Sequence, residues 1–398
     1  YDVNTLQILD VNQRMVELYG YTREELLYLT NYDICPAEQP EPLSLKRKKR
    51  RTASVRLIPG HQLHRNKDGT LKQVDIKREQ IRFGDRDCIL VLANDISEKI
   101  IQTNLDLLER TVIEKSMEGT EELSVVLENY LNGLEKLIPG LHASILHISE
   151  GHVYNWVSPT LPSLYLKAID GLAIGPAEGS CGTAAFNGKQ VIVSDISTDP
   201  LWEKYKKLAL SVGLKACWSN PLFNPQGEVV ATFANYYGTP RKPSSLELEI
   251  FNRAGALISI LIESHEKEKK LQISSERFEF ITKATSDAIW DWNLVTNKTF
   301  CGEGFTGIIG EALTEERWNL NVWLSYTHPD DRPLIEETVA KVLAGKENRW
   351  ENEYRVIRAD QRLAFVSDRA YIIRDKRGKP IRIVGAIRDI TIKKEEEQ

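Results

Sequence analysis

Apolar and polar residues alternate with a period of two in two separate stretches of this chain, 68–97 and 360–391. The first stretch shows the pattern most clearly at Ile89, Val91 and Ala93. Such spacing predicts antiparallel strands that bury one face and expose the other.

The two stretches also resemble each other when they are aligned at Asp68 and Asp360. Each reads as a strand, a second strand, a charged turn and a third strand that ends in Asp-Ile-Ser or Asp-Ile-Thr. The second copy is longer within the turn at 375–378, where inserted residues leave strand pairing intact. A similar module therefore occurs near each end of the chain.

Between the two copies the apolar spacing becomes helical. Ile101, Leu105, Leu108 and Val112 follow the spacing of a coiled-coil seam and predict a helical connector. The following elements are then predicted: a helix over 121–137, strands over 143–148, 190–193, 216–221 and 229–236, and a long helix capped by Ser244 or Ser245 with Glu247 in its first turn.

We therefore predict an α+β fold of three modules, each with a central antiparallel sheet flanked by helices, joined by long signalling helices. A chain of 398 residues exceeds one ordinary core. The predicted segments are a first module at 1–97 with an incomplete opening strand, a helical linker at 98–118, a middle module at 119–262, a second linker at 263–277, a last module at 278–391, and the start of an outgoing helix at 392–398. We expect both ends to be cuts in a longer protein.

The first module resembles a PAS domain. Residues 18–26 (LYGYTREEL) resemble the GYxxEEL stretch of that family, residues 64–69 (HRNKDG) its Asp-Gly turn, and residues 95–97 (DIS) its terminal Asp-Ile-Thr. The resemblance implies a small sensory module with an antiparallel sheet.

The last module resembles the PAS subgroup with a Trp-Asp-Trp opening strand. It departs from the family at Gln361, where Gly usually follows Asp, and at Phe365, where Trp is common. The matching stretches are 290–294 (WDWNL), 328–332 (HPDDR), 353–355 (EYR) and 389–391 (DIT).

The middle module resembles a GAF domain of the kind found in sensor kinases. The stretches that carry this resemblance are 178–185 (EGSCGTAA), 193–196 (VSDI), 199–202 (DPLW) and 216–222 (ACWSNPL). The PAS, GAF and PAS resemblances together imply the sensory region of a bacterial signal-transduction protein, most similar to a sensor histidine kinase. They imply modules that bind ligands or dimerise, without one fixed chemistry.

Charge and composition narrow the function classes. A formal charge of −5 gives no global positive field, so we expect no nucleic-acid partner. The basic run at 46–51 is interpreted as a solvated face of the first module. The longest apolar stretch, 254–262, has about nine residues against the ~20 of a membrane span, so no membrane segment is expected. Five scattered cysteines favour a reducing cytoplasm over a disulfide framework or a zinc site, although a parent protein could be membrane-tethered elsewhere.

No catalytic or metal-binding residues are predicted. The sequence lacks a GxxxxGK[ST] loop, a GxGxxG stretch and a GxSxG elbow. The pair His265-Glu266 has the order of a phosphoacceptor site, but no ATP-binding boxes follow it. We interpret His265 as a solvated connector residue.

Haem, flavin and a covalent bilin are each disfavoured as cofactors, and the ligand is left open. The predicted PAS pocket helices, near 334–343 and within 43–57, hold no histidine for haem. Cys35 lacks the NCRFLQ-like context of the flavin photoreceptors, and Cys181 is followed by Gly where a bilin site needs a Cys-His pair.

Several aromatic residues could line a pocket. Trp290 and Trp292 lie two apart on one predicted strand and therefore share a face, which either lines a cavity or packs the core. The cluster Trp318, Trp323 and Trp350 has the same two interpretations. The candidates in the middle module are Cys181, interpreted as a small buried hydrophobe, and Trp218.

The junction between each PAS sheet and its outgoing helix is the predicted signal-coupling element. Ser97 and Thr391 are expected to cap these helices. The carboxylates are expected to form weak ion pairs with the following lysines. The residues concerned are Asp95, Ser97 and Lys99 in the first module, and Asp389, Thr391 and Lys393, with Lys394 as an alternative partner, in the last.

These patterns predict the input region of a two-component-type protein. Ligand or partner binding would be relayed along helices at 98–118 and 250–283 of a parallel homodimer to an output domain outside this chain, a histidine kinase. Two alternatives stay open: a dimerisation scaffold without a small ligand, and the input region of a diguanylate cyclase.

Overall fold

Three antiparallel sheets organise the chain in a computed structural model that describes residues 1–35, 60–285, 287–302, 304–311 and 320–397. The predicted α+β fold with helix-flanked sheets is confirmed. Two compact units divide the chain, Tyr1–His265 and Glu266–Gln398. The basic run at 46–51 and Trp318 lie outside the described residues.

In the described part of the first module, three short helices precede a three-stranded sheet of order β1-β2-β3. Two strands were expected ahead of the charged turn, but a single strand of 13 residues, β2, occupies that stretch because its pairing with β3 runs unbroken from Val74 to Phe83. The elements are α1 (Gln13–Tyr19), α2 (Arg23–Tyr28), α3 (Asn31–Ile34), β1 (Gly60–Arg65), β2 (Leu71–Phe83) and β3 (Arg86–Asp95).

The predicted connector is the helix α4 (Ser97–Glu118), followed by α5 (Leu123–Leu137). Leu105 and Val112 of its apolar seam are buried in the core of the middle module. At Gly133 of α5 a Cβ atom would meet a methyl group of Leu108 at 2.4 Å, so the Leu108 side chain packs into the space that this glycine leaves. The chain's own helices therefore cover the seam that was expected to pair with a second copy.

The middle module is a six-stranded sheet of order β6-β5-β4-β9-β8-β7 with helices on both faces. One face packs against α4, α5 and the long helix α9, and the other against the shorter helices. The elements are β4 (Leu141–Ser149), β5 (His152–Val157), α6 (Ser163–Ile169), β6 (Leu172–Ala173), α7 (Gly179–Asn187), β7 (Val191–Val193), a 3-10 turn (Pro200–Trp202), α8 (Lys206–Ser211), β8 (Ala216–Phe223), β9 (Val229–Tyr237) and α9 (Ser245–Thr285).

The start of α9 confirms the predicted cap. The Ser244 hydroxyl accepts a hydrogen bond from the Glu247 amide at 3.2 Å, and the Glu247 carboxylate accepts one from the Ser244 amide at 3.0 Å. This reciprocal arrangement satisfies two amides that a helix start would otherwise leave unpaired. His265 lies farther along the same helix.

The last module is a five-stranded sheet of order β11-β10-β14-β13-β12. The extra residues of the second copy lie in the turn between Arg374 and Pro380, as predicted. The strand register shifts at Ile373 and Arg374, next to this turn, although strand pairing was expected to be unaffected. The elements are β10 (Ala288–Asn293), β11 (Lys298–Cys301), α10 (Gly304–Ile309), α11 (Leu320–Tyr326), α12 (Arg332–Ala344), β12 (Arg349–Ile357), β13 (Leu363–Arg374), β14 (Pro380–Asp389) and α13 (Thr391–Glu396).

Candidate functional site

An apolar cavity of about 50 Å³ lies between the sheet and the helices of the last module. The described residues of its wall are almost entirely apolar, and among them Asp368 contributes the one carboxyl group. The lining residues used below are Trp290, Trp292, Trp323, Trp350, Tyr354 and Asp368.

Strand register brings the tryptophans of β10 into this cavity. Trp290 pairs with Gly385 of β14, and both Trp290 and Trp292 line the cavity as two residues of one strand face. A Cβ atom at position 385 would lie 2.4 Å from the Trp290 ring, so the ring occupies the space that glycine leaves open.

Asp368 is the centre of a buried hydrogen-bond network. One carboxyl oxygen, Oδ1, accepts from the Trp290 indole nitrogen at 3.0 Å. The other, Oδ2, accepts from the Tyr354 hydroxyl at 2.8 Å, and this hydroxyl accepts from the Trp323 indole nitrogen at 2.8 Å. The network links three strands and α11 around one side of the cavity.

Burial is the main cause of the shifted pKa values of the two acidic groups in this network, Asp368 and Tyr354. It raises the pKa of Asp368 to about 7, although the hydrogen bonds from Tyr354 and Trp290 oppose the rise. Burial, together with the neighbouring Asp368 carboxyl, also raises the pKa of Tyr354 well above its usual range. The tyrosine therefore remains a hydroxyl donor, while Asp368 can be neutral or charged near neutral pH.

Sequence reasoning placed Trp290, Trp292, Trp323 and Trp350 in a core or a pocket, and all four line this cavity. It missed Asp368. The signal was present in β13, where Ala364, Val366, Ala370 and Ile372 form a buried apolar face with period two and Asp368 is the single acid on it.

The exit of the last sheet forms a second polar cluster. The Thr391 hydroxyl accepts a hydrogen bond from the Phe365 amide of β13 at 3.0 Å and donates one to Asp389 at 2.5 Å. Asp389 also accepts from Arg358 at 2.5 Å. We call Arg358, Phe365, Asp389 and Thr391 the exit latch, because it ties the start of α13 to β13.

The first module repeats this arrangement. The Ser97 hydroxyl accepts from the Gln73 amide of β2 at 3.0 Å, and Asp95 accepts from the Ser97 amide at 3.0 Å. Asp95 forms its ion pair with Lys72 at 3.0 Å. The same residue types thus tie both PAS-like sheets to their outgoing helices.

Two details of the expected coupling were wrong. Ser97 and Thr391 are the first residues of their helices and do not cap them, because their hydroxyls are engaged with the neighbouring strand. Among the described residues, Asp95 pairs with Lys72 and Asp389 with Arg358 across the sheet, and neither pairs with Lys99, Lys393 or Lys394. Lys394 instead pairs with Glu353 at 2.8 Å, and Lys393 with Glu397 at 3.8 Å.

A smaller cavity, of about 30 Å³, lies in the middle module between the sheet and α7. Cys181 lines it, and the adjacent Ser180 hydroxyl accepts from the Trp202 indole nitrogen at 2.9 Å. Trp218 does not line either cavity. It lies on the other face of the sheet, where it packs against Tyr237 and Phe251.

A charged clamp joins the incoming and outgoing helices of the middle module. Arg253 of α9 donates to Glu109 at 2.9 Å and to Asp106 at 2.5 Å, both on α4. Glu109 is buried and lies 3.5 Å from the Tyr130 hydroxyl of α5. Separating the two helices would leave the buried Glu109 carboxylate without its cation, which is costly. The ion pair therefore holds α4 and α9 together.

Two kinds of site are absent from the described residues. In this part of the chain, no group of three or more His, Cys, Asp or Glu side chains is placed to hold a metal ion. None of the helices described combines the length and apolar character of a membrane span.

Comparison with known families agrees with the three modules. Residues 2–98 match a PAS domain, residues 120–263 a GAF domain and residues 298–387 a PAS fold. A curated relative, the methyl sulfide methyltransferase-associated sensor of Methanosarcina acetivorans, is 33% identical over 231 residues. That match covers 56% of this chain and 23% of the relative, so the chain spans about a quarter of that protein.

Solved structures with local similarity include a sensory box histidine kinase/response regulator from Burkholderia thailandensis. It is 26% identical, covers 30% of this chain and 89% of its own, and has a TM-score of 0.26. Another is the N-terminal domain of a diguanylate cyclase with a PAS/PAC sensor from Marinobacter aquaeolei, at 20% identity, 27% and 97% coverage and a TM-score of 0.25.

Proposed function

Because this chain carries a PAS domain, a GAF domain and a second PAS domain, the modules of sensory signalling proteins, we propose that it is an input region whose C-terminal PAS domain binds a small molecule. The observation that supports this most directly is the tryptophan-lined cavity with one buried carboxyl group. Its volume of about 50 Å³ is several times the ~10–15 Å³ that one water needs, so it fits a molecule of a few non-hydrogen atoms. A largely apolar molecule with one polar or cationic group matches this wall.

The cavity and the exit latch share one strand. Asp368, which faces the cavity, lies three residues from Phe365, whose amide bonds to Thr391. A ligand that shifts Asp368 would therefore move the strand that holds the first turn of α13. Only a few kcal/mol of differential binding are needed to shift a two-state helix arrangement.

We expect the chain, purified without denaturation, to retain a small molecule that native mass spectrometry detects. Ala370→Leu, which fills the cavity from β13, should abolish this retention and leave the sheet intact. In the unmodified chain, removing the bound molecule should change hydrogen exchange in α13. Thr391→Val should still retain the molecule, but its removal should no longer change this exchange, because the latch hydroxyl is gone.

The control for this experiment is Tyr371→Leu, an exposed change next to position 370 on the same strand. It should behave like the unmodified chain. If nothing is retained, and no compound from a small-molecule library raises the melting temperature of the unmodified chain more than that of Ala370→Leu, the sensing proposal fails and the scaffold alternative is favoured.

We further propose that two copies of the chain pair along the second half of α9. Leu271, Phe278 and Ile281 follow a heptad-like spacing there, and each is more than half exposed, at 72%, 58% and 57%. The apolar seam of α4 is already covered, so this stripe is the better candidate for a parallel dimer.

The double variant Leu271→Ser/Phe278→Ser is expected to convert a dimer to a monomer, measured by size-exclusion chromatography with light scattering. Leu164→Ser on α6, which is 65% exposed but outside the stripe, should leave the dimer unchanged. A monomeric unmodified chain, or a double variant that still dimerises, would contradict this interface.

The output that we propose is a histidine kinase domain on the parent protein, with a diguanylate cyclase as the alternative. The GAF resemblance at 178–185 and 216–222 to sensor kinases supports the first choice. In either case the chemistry lies on the output domain, and this chain supplies the binding and the relay. Phosphotransfer assayed on the parent protein distinguishes the two.

A further inference from the structure

Two cysteines lie near each other where α7 packs against β8 in the GAF module. Cys181 is in the first turn of α7 and lines the cavity, whereas Cys217 of β8 is fully buried behind it. Ser180 donates a hydrogen bond to the Cys217 backbone oxygen at 3.1 Å, which holds α7 against β8 at this point. The two thiols lie close enough to influence each other's ionisation, and they are not joined by a disulfide.

Buried hydroxyl groups surround the Cys181 sulfur. The Tyr236 hydroxyl lies 3.5 Å from it. Ser219 and Thr232 project from the same face of the sheet, are fully buried, and make no hydrogen bond of normal geometry to the residues the structure describes. Leaving buried hydroxyl groups unpaired is costly, and a Cys181 thiolate beside them would accept hydrogen bonds from them.

The two thiols differ in their readiness to ionise. The neighbouring Cys217 thiol lowers the pKa of Cys181 against the effect of burial, with smaller contributions from the hydroxyls of Tyr236, Ser219 and Thr232. Burial raises the pKa of Cys217 well above its usual range. Cys181 lines the cavity and Cys217 does not, so a reactant in the cavity meets the Cys181 sulfur first. Cys181 is therefore the attacking residue, as a thiolate, and Cys217 is the second thiol.

We propose that Cys181 and Cys217 form a thiol–disulfide modification site that a hydroperoxide oxidises through the GAF cavity. The cavity, of about 30 Å³, exceeds the ~10–15 Å³ needed for one water and therefore admits hydrogen peroxide. This site is independent of the ligand proposed for the last module.

The reaction balances without another reactant. The Cys181 thiolate attacks one peroxide oxygen, the O–O bond breaks, and the leaving hydroxide takes up the proton that Cys181 released, which gives sulfenic acid and water. The Cys217 sulfur then attacks the Cys181 sulfur, and its proton leaves with the sulfenic hydroxyl as a second water. Two thiols are oxidised to one disulfide, and one peroxide is reduced to two waters.

The test treats the reduced full chain with one equivalent of hydrogen peroxide, followed by alkylation and peptide mass spectrometry. We expect two of the five thiols to be lost and a linked peptide pair to contain Cys181 and Cys217. Cys217→Ser should stop at a Cys181 sulfenic acid that dimedone traps. Cys181→Ser should lose about tenfold or more in the rate of thiol loss, because no activated thiolate remains.

The matched control is Cys88→Ser, which removes another buried cysteine from the first module and should leave the linked pair unchanged. Ser219→Ala and Thr232→Ala keep both cysteines and should slow the oxidation of Cys181. If circular dichroism shows that Cys181→Ser does not fold, these two hydroxyl variants still test the proposal. The proposal is overturned if Cys35 or Cys301 is oxidised as fast as Cys181, or if Cys181→Ser and the two hydroxyl variants react at the unmodified rate.

Discussion

Gly385→Ala is expected to lower the free energy of unfolding of the C-terminal module by about 3 kcal/mol, from overpacking and the loss of a hydrogen bond to a buried carboxyl. The added Cβ would lie 2.4–2.6 Å from three atoms of the Trp290 ring. The ring must then move, and its indole nitrogen leaves Asp368. Hydrogen exchange of peptides from β10 and β14 during urea titration measures the loss in this module alone.

A double-mutant cycle identifies the cause. In a Trp290→Ala background, Gly385→Ala should be nearly harmless, because the clash and the hydrogen bond are both already gone. Gly307→Ala is the matched single control, since a Cβ at this helical position meets nothing within 4 Å. A Gly385→Ala variant as stable as Gly307→Ala would show that the Trp290 ring is not held where the structure places it.

The sheets and the duplicated junctions could be predicted from the sequence, but the ion-pair partners of the junction carboxylates could not. Alternation at Ile89, Val91 and Ala93 is a local property of a strand, so it was readable from the pattern. The partners of Asp95 and Asp389 depend on strand register, which brings Lys72 and Arg358 alongside them. The prediction that the carboxylates pair with the lysines that follow them in sequence was wrong because the residues that reach them come from distant segments.

The cavity shows a second limit. The sequence pattern places Trp290 and Trp292 on one face of a strand. Whether a small cavity remains at that face depends on how helices from distant segments pack against it. Asp368 stands out as the only acid on the buried face of β13 once the burial pattern of that strand is known. Similarly, the spacing of Leu105 and Val112 predicted a helical seam correctly, although α5 and α9 of the same chain cover it.

Asp368→Asn should remove a pH dependence that the buried carboxyl imposes on the stability of the last module. Burial raises the pKa of Asp368 from 3.8 to about 7, so the folded state holds its proton where the unfolded state has lost it. The stabilising contribution is complete below pH 3.8 and is lost as the pH rises to 7. Asparagine keeps an acceptor for Trp290 and cannot ionise.

The stability of the variant relative to the unmodified chain should therefore rise by about 3 kcal/mol between pH 5 and pH 8, measured by the same urea titration with hydrogen exchange. Asp331→Asn is a control of opposite sign. Hydrogen bonds from Arg355 lower the pKa of Asp331, so that its contribution is present at neutral pH and lost on acidification. If Asp368→Asn and the unmodified chain change in parallel from pH 5 to pH 8, Asp368 is already charged in the folded module, and a neutral acid is not part of the cavity that receives the ligand.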